Sequence, residues 1–106
     1  MNTLDTMERL NVIADRLRTE YHAQTVILFG SRARGEATKD SDTDLFIIAP
    51  TYEPFFKRMA TVLGLVRDLY HGLALSPIVL TPEEVRQRLK RGDPFIQEIL
   101  EAGIKL

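Results

Sequence analysis

Two short apolar runs with a polar segment between them constrain the fold of this chain more than any other feature. Thr25–Phe29 and Leu45–Ala49 are rich in β-branched or large apolar residues, which is typical of buried strands. The intervening residues 30–44 are polar and do not read as a crossover helix. Since parallel neighbours need such a crossover, we expect a small mixed β-sheet backed by helices, an α/β (α+β) fold rather than a doubly wound parallel sheet.

Apolar residues at helical spacing lie on both sides of these strands. The spacing predicts a helix over residues 4–21 with Thr3 or Asp5 as its cap, and another over 55–70 that follows Pro54. A third strand is predicted over residues 73–80, where Pro77 indicates an edge strand or a bulge. Thr81 as N-cap, with proline at the first helical position and glutamate at the third, predicts a helix that Gly92 ends, and residues 95–102 predict the last one.

Length and composition favour one soluble domain over residues 1–106. The 106 residues carry a net charge of −1, which excludes a strongly basic protein that binds nucleic acid through bulk charge. The absence of cysteine excludes disulfides and a thiol nucleophile. The first residues lack the apolar run of a signal peptide, and no stretch is long and apolar enough to span a membrane. We therefore expect a cytoplasmic protein without a membrane partner.

The polar segment between the first two strands carries the candidate chemistry. Asp42 and Asp44 are two residues apart and lead into a strand, so both carboxylates project from one face. Bound Mg²⁺ would remove the repulsion between them, since Mg²⁺ favours one or two carboxylates together with phosphate oxygens. Gly30 and Ser31 follow the preceding strand, where a missing side chain lets backbone N–H groups approach a phosphate.

Two familiar loop types do not fit this segment. Gly30 and Gly35 have the spacing of a Walker A loop, but Glu36 stands where that loop needs lysine. A calcium loop starting at Asp40 would place Leu45 at its glycine position. The remaining alternative is a solvated loop whose aspartates cap turns.

The stretch GSRARGEATKDSDTDLFI, residues 30–47, resembles the signature of the DNA polymerase beta-like nucleotidyltransferases, and among them the minimal nucleotidyltransferase domains of bacteria and archaea. The resemblance implies the polymerase beta-like nucleotidyltransferase fold and a Mg²⁺-dependent transfer of NMP, with AMP from ATP as the expected case. Gly30 and Ser31 would bind the triphosphate, and Asp42 and Asp44 would be the catalytic residues that bind the metal. Arg32 and Arg34 are not fixed motif positions, but they lie beside the predicted phosphate site and could clamp the nucleotide.

The family also suggests a partner. Free-standing domains of this kind commonly act beside a small helical HEPN-type protein, as the antitoxin of a toxin–antitoxin pair. Independently, the predicted helix over 55–70 is more apolar than one side of a small core requires, which favours a homodimer or a complex with a helical partner. Tyr52, Phe55 and Phe56 are interpreted mainly as packing residues, although Phe55 and Phe56 cannot both face inward.

One family residue is missing. The family has a third carboxylate on a later strand, but here Ala74 and Ser76 stand at the alternate positions where one is expected. The nearest acidic residues, Asp68 and Glu83, are predicted to be surface residues of flanking helices. The alternative function is therefore a catalytically impaired module that binds a nucleotide or a partner.

Overall fold

Four strands and four helices occupy residues 5–106, the part of the chain that this computed structural model describes. In chain order the elements are α1 (Thr6–Glu20), β1 (Thr25–Phe29), β2 (Asp42–Ile48), α2 (Phe55–Leu65), β3 (Ala74–Leu80), α3 (Pro82–Lys90), α4 (Pro94–Ala102) and β4 (Ile104–Lys105). Within this range, no helix combines the length and the apolar character needed to cross a membrane.

The strands form one mixed sheet in the order β3-β2-β1-β4. β1 pairs antiparallel with both β2 and β4, whereas β2 and β3 are parallel. The prediction of a small mixed sheet backed by helices is confirmed. The polar connection between β1 and β2 serves an antiparallel pair, and the crossover that the parallel pair requires is made by α2.

Helices cover both faces of the sheet, and the alternation along each strand assigns every side chain to one of them. The larger core lies between α1, α2 and the inward residues of one face, among them Leu45 and Ile47 of β2. The smaller core lies under α3 and α4 and contains Phe46 of β2. Residues at even-numbered positions of β2 therefore share the face on which α3 and α4 pack.

The capping predictions agree with the structure. Asp5 is the N-cap of α1 and accepts a hydrogen bond from the Glu8 N–H, while Thr3, the other candidate, lies outside the described residues. Thr81 and Glu84 form the reciprocal capping box of α3. Both caps satisfy backbone N–H groups that have no partner within their helix.

Two element boundaries differ from the prediction by three residues or more, and one strand was not predicted. β2 starts at Asp42, three residues before the predicted Leu45, because Asp42–Asp44 pair with β3. α2 ends at Leu65 and not at residue 70, because Arg16 of α1 donates to the Leu65 carbonyl and pairs with Asp68 in the turn that follows. β4 was not predicted, since two residues carry no periodicity and this strand exists through its pairing with β1.

β3 is an edge strand, as Pro77 indicated, and its register with β2 runs without a bulge. The Leu80 carbonyl accepts from the Ala49 N–H on the β2 side. By alternation the backbone groups of Pro77 and Val79 point to the free side, where the missing N–H of proline costs no hydrogen bond. Arg58 of α2 is buried there and donates to the Val79 carbonyl at 3.1 Å and to Glu84 at 2.6 Å.

Candidate functional site

The two predicted carboxylates lie at the start of β2, on the face of the sheet that α3 and α4 leave open at this end. Asp42 is exposed and Asp44 is half-buried. Burial raises the pKa of the Asp44 carboxyl, the negative charge of Asp42 raises it further, and the positive charge of Arg34 lowers it. The pair is thus a crowded acidic site, and hard oxygen ligands of this kind fit a divalent cation such as Mg²⁺.

The neighbouring strand supplies small side chains next to this pair. In the parallel register Asp42 lies opposite Ala74, and Asp44 lies opposite Ser76. Within residues 5–106, no group of three or more His, Cys, Asp or Glu side chains is arranged to hold a metal ion. Asp68 is engaged instead by Arg16, which lowers the pKa of its carboxyl, and Glu83 is exposed and pairs with Arg86. The acidic side chains that residues 5–106 offer a metal at this site are therefore Asp42 and Asp44.

Gly30 brings the end of β1 directly against this pair. Phe29 is opposite Asp44 in the antiparallel register, so the next residue starts its turn beside that carboxylate. Gly30 has a φ of +76°, and a Cβ at this position would overlap Asp44 Oδ2. The backbone conformation therefore favours glycine, and any side chain at this position would also displace the carboxylate.

Residues 30–36, which we term the glycine turn, form about one turn of helix-like structure. The Arg34 N–H donates to the Gly30 carbonyl at 3.2 Å, and the Glu36 N–H donates to the Ser31 carbonyl at 2.9 Å. As at any helix start, the first N–H groups of such a turn have no acceptor within it. Those N–H groups of the glycine turn are suited to an anionic ligand beside the carboxylate pair.

The two arginines of the glycine turn point to different partners. Arg34 lies near enough to Asp44 to influence its pKa, and its Nε donates to Glu36 Oε1 at 2.9 Å. Arg32 Nε donates to Thr43 Oγ1 at 2.9 Å. Thr43 is fully buried and, being between the two aspartates, lies on the opposite face of β2 from them. The structure thus brings Gly30, Ser31, Arg34, Asp42 and Asp44 together and directs the Arg32 side chain to the other face.

A cavity of about 180 Å³ adjoins the glycine turn on the side of α4. Phe29 and Phe95 meet edge to face in its wall, with ring centroids 5.8 Å apart, and Arg34 and Glu98 line it as well. Thr43, Phe95 and Glu98 were not among the predicted site residues. A polar residue at an inward position of an apolar strand was the available signal for Thr43, whereas the apolar spacing of α4 indicates packing alone.

Comparisons with known proteins find a matching family, a similar sequence and a similar fold. The model of a family described as the nucleotidyltransferase domain matches residues 10–106. Over 88 residues the chain is 37% identical to a candidate protein adenylyltransferase of Methanocaldococcus jannaschii, covering 77% of this chain and 56% of that protein. The chain thus spans about half the length of this relative. A crystal structure of a candidate nucleotidyltransferase from Sulfolobus solfataricus matches with a TM-score of 0.57 and 25% identity, covering 76% of this chain and 71% of that one.

Proposed function

The chain belongs to the nucleotidyltransferase domain family, and on this premise we propose that it transfers NMP from a nucleoside triphosphate to an acceptor hydroxyl in a Mg²⁺-dependent reaction. The relative from Methanocaldococcus jannaschii is named for adenylyl transfer to protein, which favours ATP as the donor and a protein side chain as the acceptor.

One observation carries this proposal, the contact between the glycine turn and the carboxylate pair. A Cβ added at Gly30 would overlap Asp44 Oδ2, so the N–H groups that would bind the phosphates start directly beside the carboxylates that would bind the metal. A triphosphate needs both, because two carboxylates without a cation would repel it. Aspartates that only cap turns would not need to contact the glycine turn, whose N–H groups are suited to an anion.

Each residue of the site would have its own role in such a reaction. The N–H groups that follow Gly30 would orient the phosphates, and the Arg34 guanidinium would offset part of their charge. Asp42 and Asp44 would hold Mg²⁺, which when bound neutralises charge on the phosphoryl groups. α4 and the Phe29–Phe95 pair form a wall beside the turn.

Calorimetric titration with Mg²⁺ and ATP tests this proposal. Asp42→Asn and Asp44→Asn should each weaken Mg²⁺-dependent ATP binding by about 1.5–3 kcal/mol, the size of a charged contact. Asp40→Asn is the matched control, because Asp40 is an exposed aspartate of the same loop. Wild-type protein that binds no ATP in the presence of Mg²⁺ would refute the proposal.

A second candidate function is a nucleotide- or partner-binding module with little transfer activity. Ala74 and Ser76 beside the carboxylates favour it, since they leave the site without a third acidic group or general base. Loss of a general base typically costs about 10²–10⁴-fold in rate.

Ser76→Asp distinguishes the two functions, because Ser76 lies opposite Asp44 in the register. With labelled ATP, Mg²⁺ and a small helical HEPN-type protein as acceptor, a gain of transfer would show that the missing carboxylate limits catalysis. Ser76→Asn controls for shape without charge. Wild-type transfer that Ser76→Asp does not increase would show that the site is complete without this carboxylate.

We also propose a protein partner, either a second copy of the chain or a small helical protein of the HEPN class as in toxin–antitoxin pairs. The exposed apolar side chains of α2 support an association, with Phe55 55% exposed and Phe56 77% exposed. Tyr52, Phe55 and Phe56 are all exposed, so the interpretation of these side chains as core residues is wrong, although the Phe55 ring lies against the Arg58 guanidinium.

A further inference from the structure

Arg32 is held away from the carboxylate face by its bond to Thr43. Thr43 Oγ1 belongs to a fully buried residue, and the Arg32 Nε lies 2.9 Å from it. A buried hydroxyl that loses its partner is costly, so this bond is a stable part of the fold. Arg32 follows directly on Ser31, and Thr43 stands between the two aspartates.

The bond therefore joins the two halves of the site. Within residues 5–106, the bond from Arg32 to Thr43 is the one side-chain hydrogen bond that links the glycine turn to the sheet. The other side-chain bond of the turn stays within it, from Arg34 to Glu36. Ala33 adds apolar packing against the larger core. Together with the pairing of Phe29 and Asp44, this bond therefore fixes the glycine turn relative to the carboxylates.

We infer that Arg32 and Thr43 are positioning residues, which fix the glycine turn relative to Asp42 and Asp44, and that Arg32 is not a phosphate ligand. This inference rests on the proposed function, since it concerns the site that would bind the Mg²⁺–ATP complex. Supporting residues of this kind typically change metal affinity or activity by about 10–100-fold when replaced.

The test compares two ligands, Mg²⁺–ATP and Mg²⁺ alone, by calorimetry. Thr43→Val keeps the shape of the side chain and removes the hydroxyl. It should weaken Mg²⁺–ATP binding by about 10–100-fold and leave the affinity for Mg²⁺ alone unchanged, because only the complex needs both halves of the site. Thr43→Ser keeps the hydroxyl and should restore wild-type binding. Thr61→Val is the matched control, because it removes the hydroxyl of a threonine in α2 that donates to Glu53.

Arg32→Gln should cause the same loss as Thr43→Val, and the double variant should be no worse than either single variant, because both changes break one bond. Arg32 that bound phosphate directly would give the opposite pattern, with Arg32→Gln harmful and Thr43→Val without effect. Equal losses for Mg²⁺ and Mg²⁺–ATP would indicate general damage to the fold and would also overturn the inference. Thr43→Ala serves in place of the valine variant if that one does not fold.

The failure of the proposed function is distinguishable in the same experiment. Wild-type protein that does not bind Mg²⁺–ATP would overturn both the function and the inference. Wild-type binding together with an unaffected Thr43→Val variant would overturn the inference alone.

Discussion

The carboxyl group of Asp44 couples the stability of the metal-free fold to pH. Burial and the charge of Asp42 raise its pKa, so the folded state keeps this proton to a higher pH than the unfolded state does. Protonation of Asp44 therefore stabilises the fold below the ordinary pKa of aspartate, and this stabilisation is lost as the pH rises through the raised pKa. Above that range the ionised group favours unfolding.

Asp44→Asn should consequently melt a few degrees higher than wild type at neutral pH without metal, and the difference should shrink in acid. Thermal melts at both pH values measure this effect. Aspartates that cap turns would respond in the opposite direction, because their removal costs stability. A melting temperature of Asp44→Asn that is lower than wild type at neutral pH would contradict the prediction.

Gly30 allows a prediction with an internal control. Gly30→Ala adds the cost of a positive φ, about 1–2 kcal/mol, and displaces the Asp44 carboxylate that its Cβ would overlap. Gly92→Ala has a similar φ of +75° but no atom within 4 Å of the added Cβ. Both variants should lose stability in urea, whereas only Gly30→Ala should lose affinity for Mg²⁺–ATP. Unchanged affinity in Gly30→Ala would show that the contact with Asp44 does not matter for binding.

The residues that meet at this site could be predicted in part from the sequence. The pair of aspartates and the glycine after β1 are close in the chain, and strand alternation together with an antiparallel turn brings them together. The partner of Arg32 could not be predicted in this way. A long side chain within a turn can reach either face of the sheet. Arg32 reaches the face where the Thr43 hydroxyl is buried, and tertiary packing decides that burial.

At the scale of elements, boundaries set by local chemistry were predictable and those set by distant contacts were not. β1 was predicted with its observed bounds, and the start of α3 followed from its capping box. The end of α2 depends on Arg16, which is 49 residues before Leu65 in the chain. A pattern of apolar residues carries no information about such a contact, and the same holds for the pairing that creates β4.

The ion pair of Arg58 and Glu84 connects α2 and α3 across the edge of the sheet. Arg58 and the Thr81 backbone N–H both lower the pKa of the Glu84 carboxyl, the arginine more strongly. The stabilisation is thus present above the ordinary pKa of glutamate and is lost as the pH falls through the lowered value. Since Arg58 is buried, it would be left without its counter-charge if Glu84 were neutral.

Glu84→Gln keeps an acceptable capping-box residue and removes only the charge. We expect it to lower the free energy of unfolding by about 1–2 kcal/mol at neutral pH, less than for a fully buried pair, because solvent screens the partly exposed Glu84. The loss should diminish in acid, where wild-type Glu84 is protonated as well. Urea denaturation at neutral and acid pH measures both effects, with Glu83→Gln as the exposed control. A neutral-pH loss no larger than that of the control would contradict the prediction.

At the scale of the whole molecule, α2 carries more exposed large apolar side chains than any other element of residues 5–106. Phe55, Phe56 and Met59 project from the first turns of α2, and the first two are more than half exposed. We expect this surface to be buried by a second copy or by a helical partner. Sedimentation should show a dimer of the isolated chain, or a stable complex when the partner is present.

Phe56→Ser should weaken that association without reducing stability, because Phe56 contributes little to the core. Leu89→Ser removes an exposed apolar residue from α3 and is the control. A clean monomer at high concentration, with no partner recovered from cells, would exclude this role for α2.

The free side of β3 has a consequence for how such an association can form. Proline presents no donor there, and a buried guanidinium already occupies the Val79 carbonyl, so an incoming chain would find an interrupted hydrogen-bond template. At the opposite edge β4 offers only two residues. The sheet therefore resists the addition of strands from other copies, and such addition is how fibrils and other open-ended polymers form. Copies of this domain can meet through side chains of their helices and still remain discrete, countable assemblies.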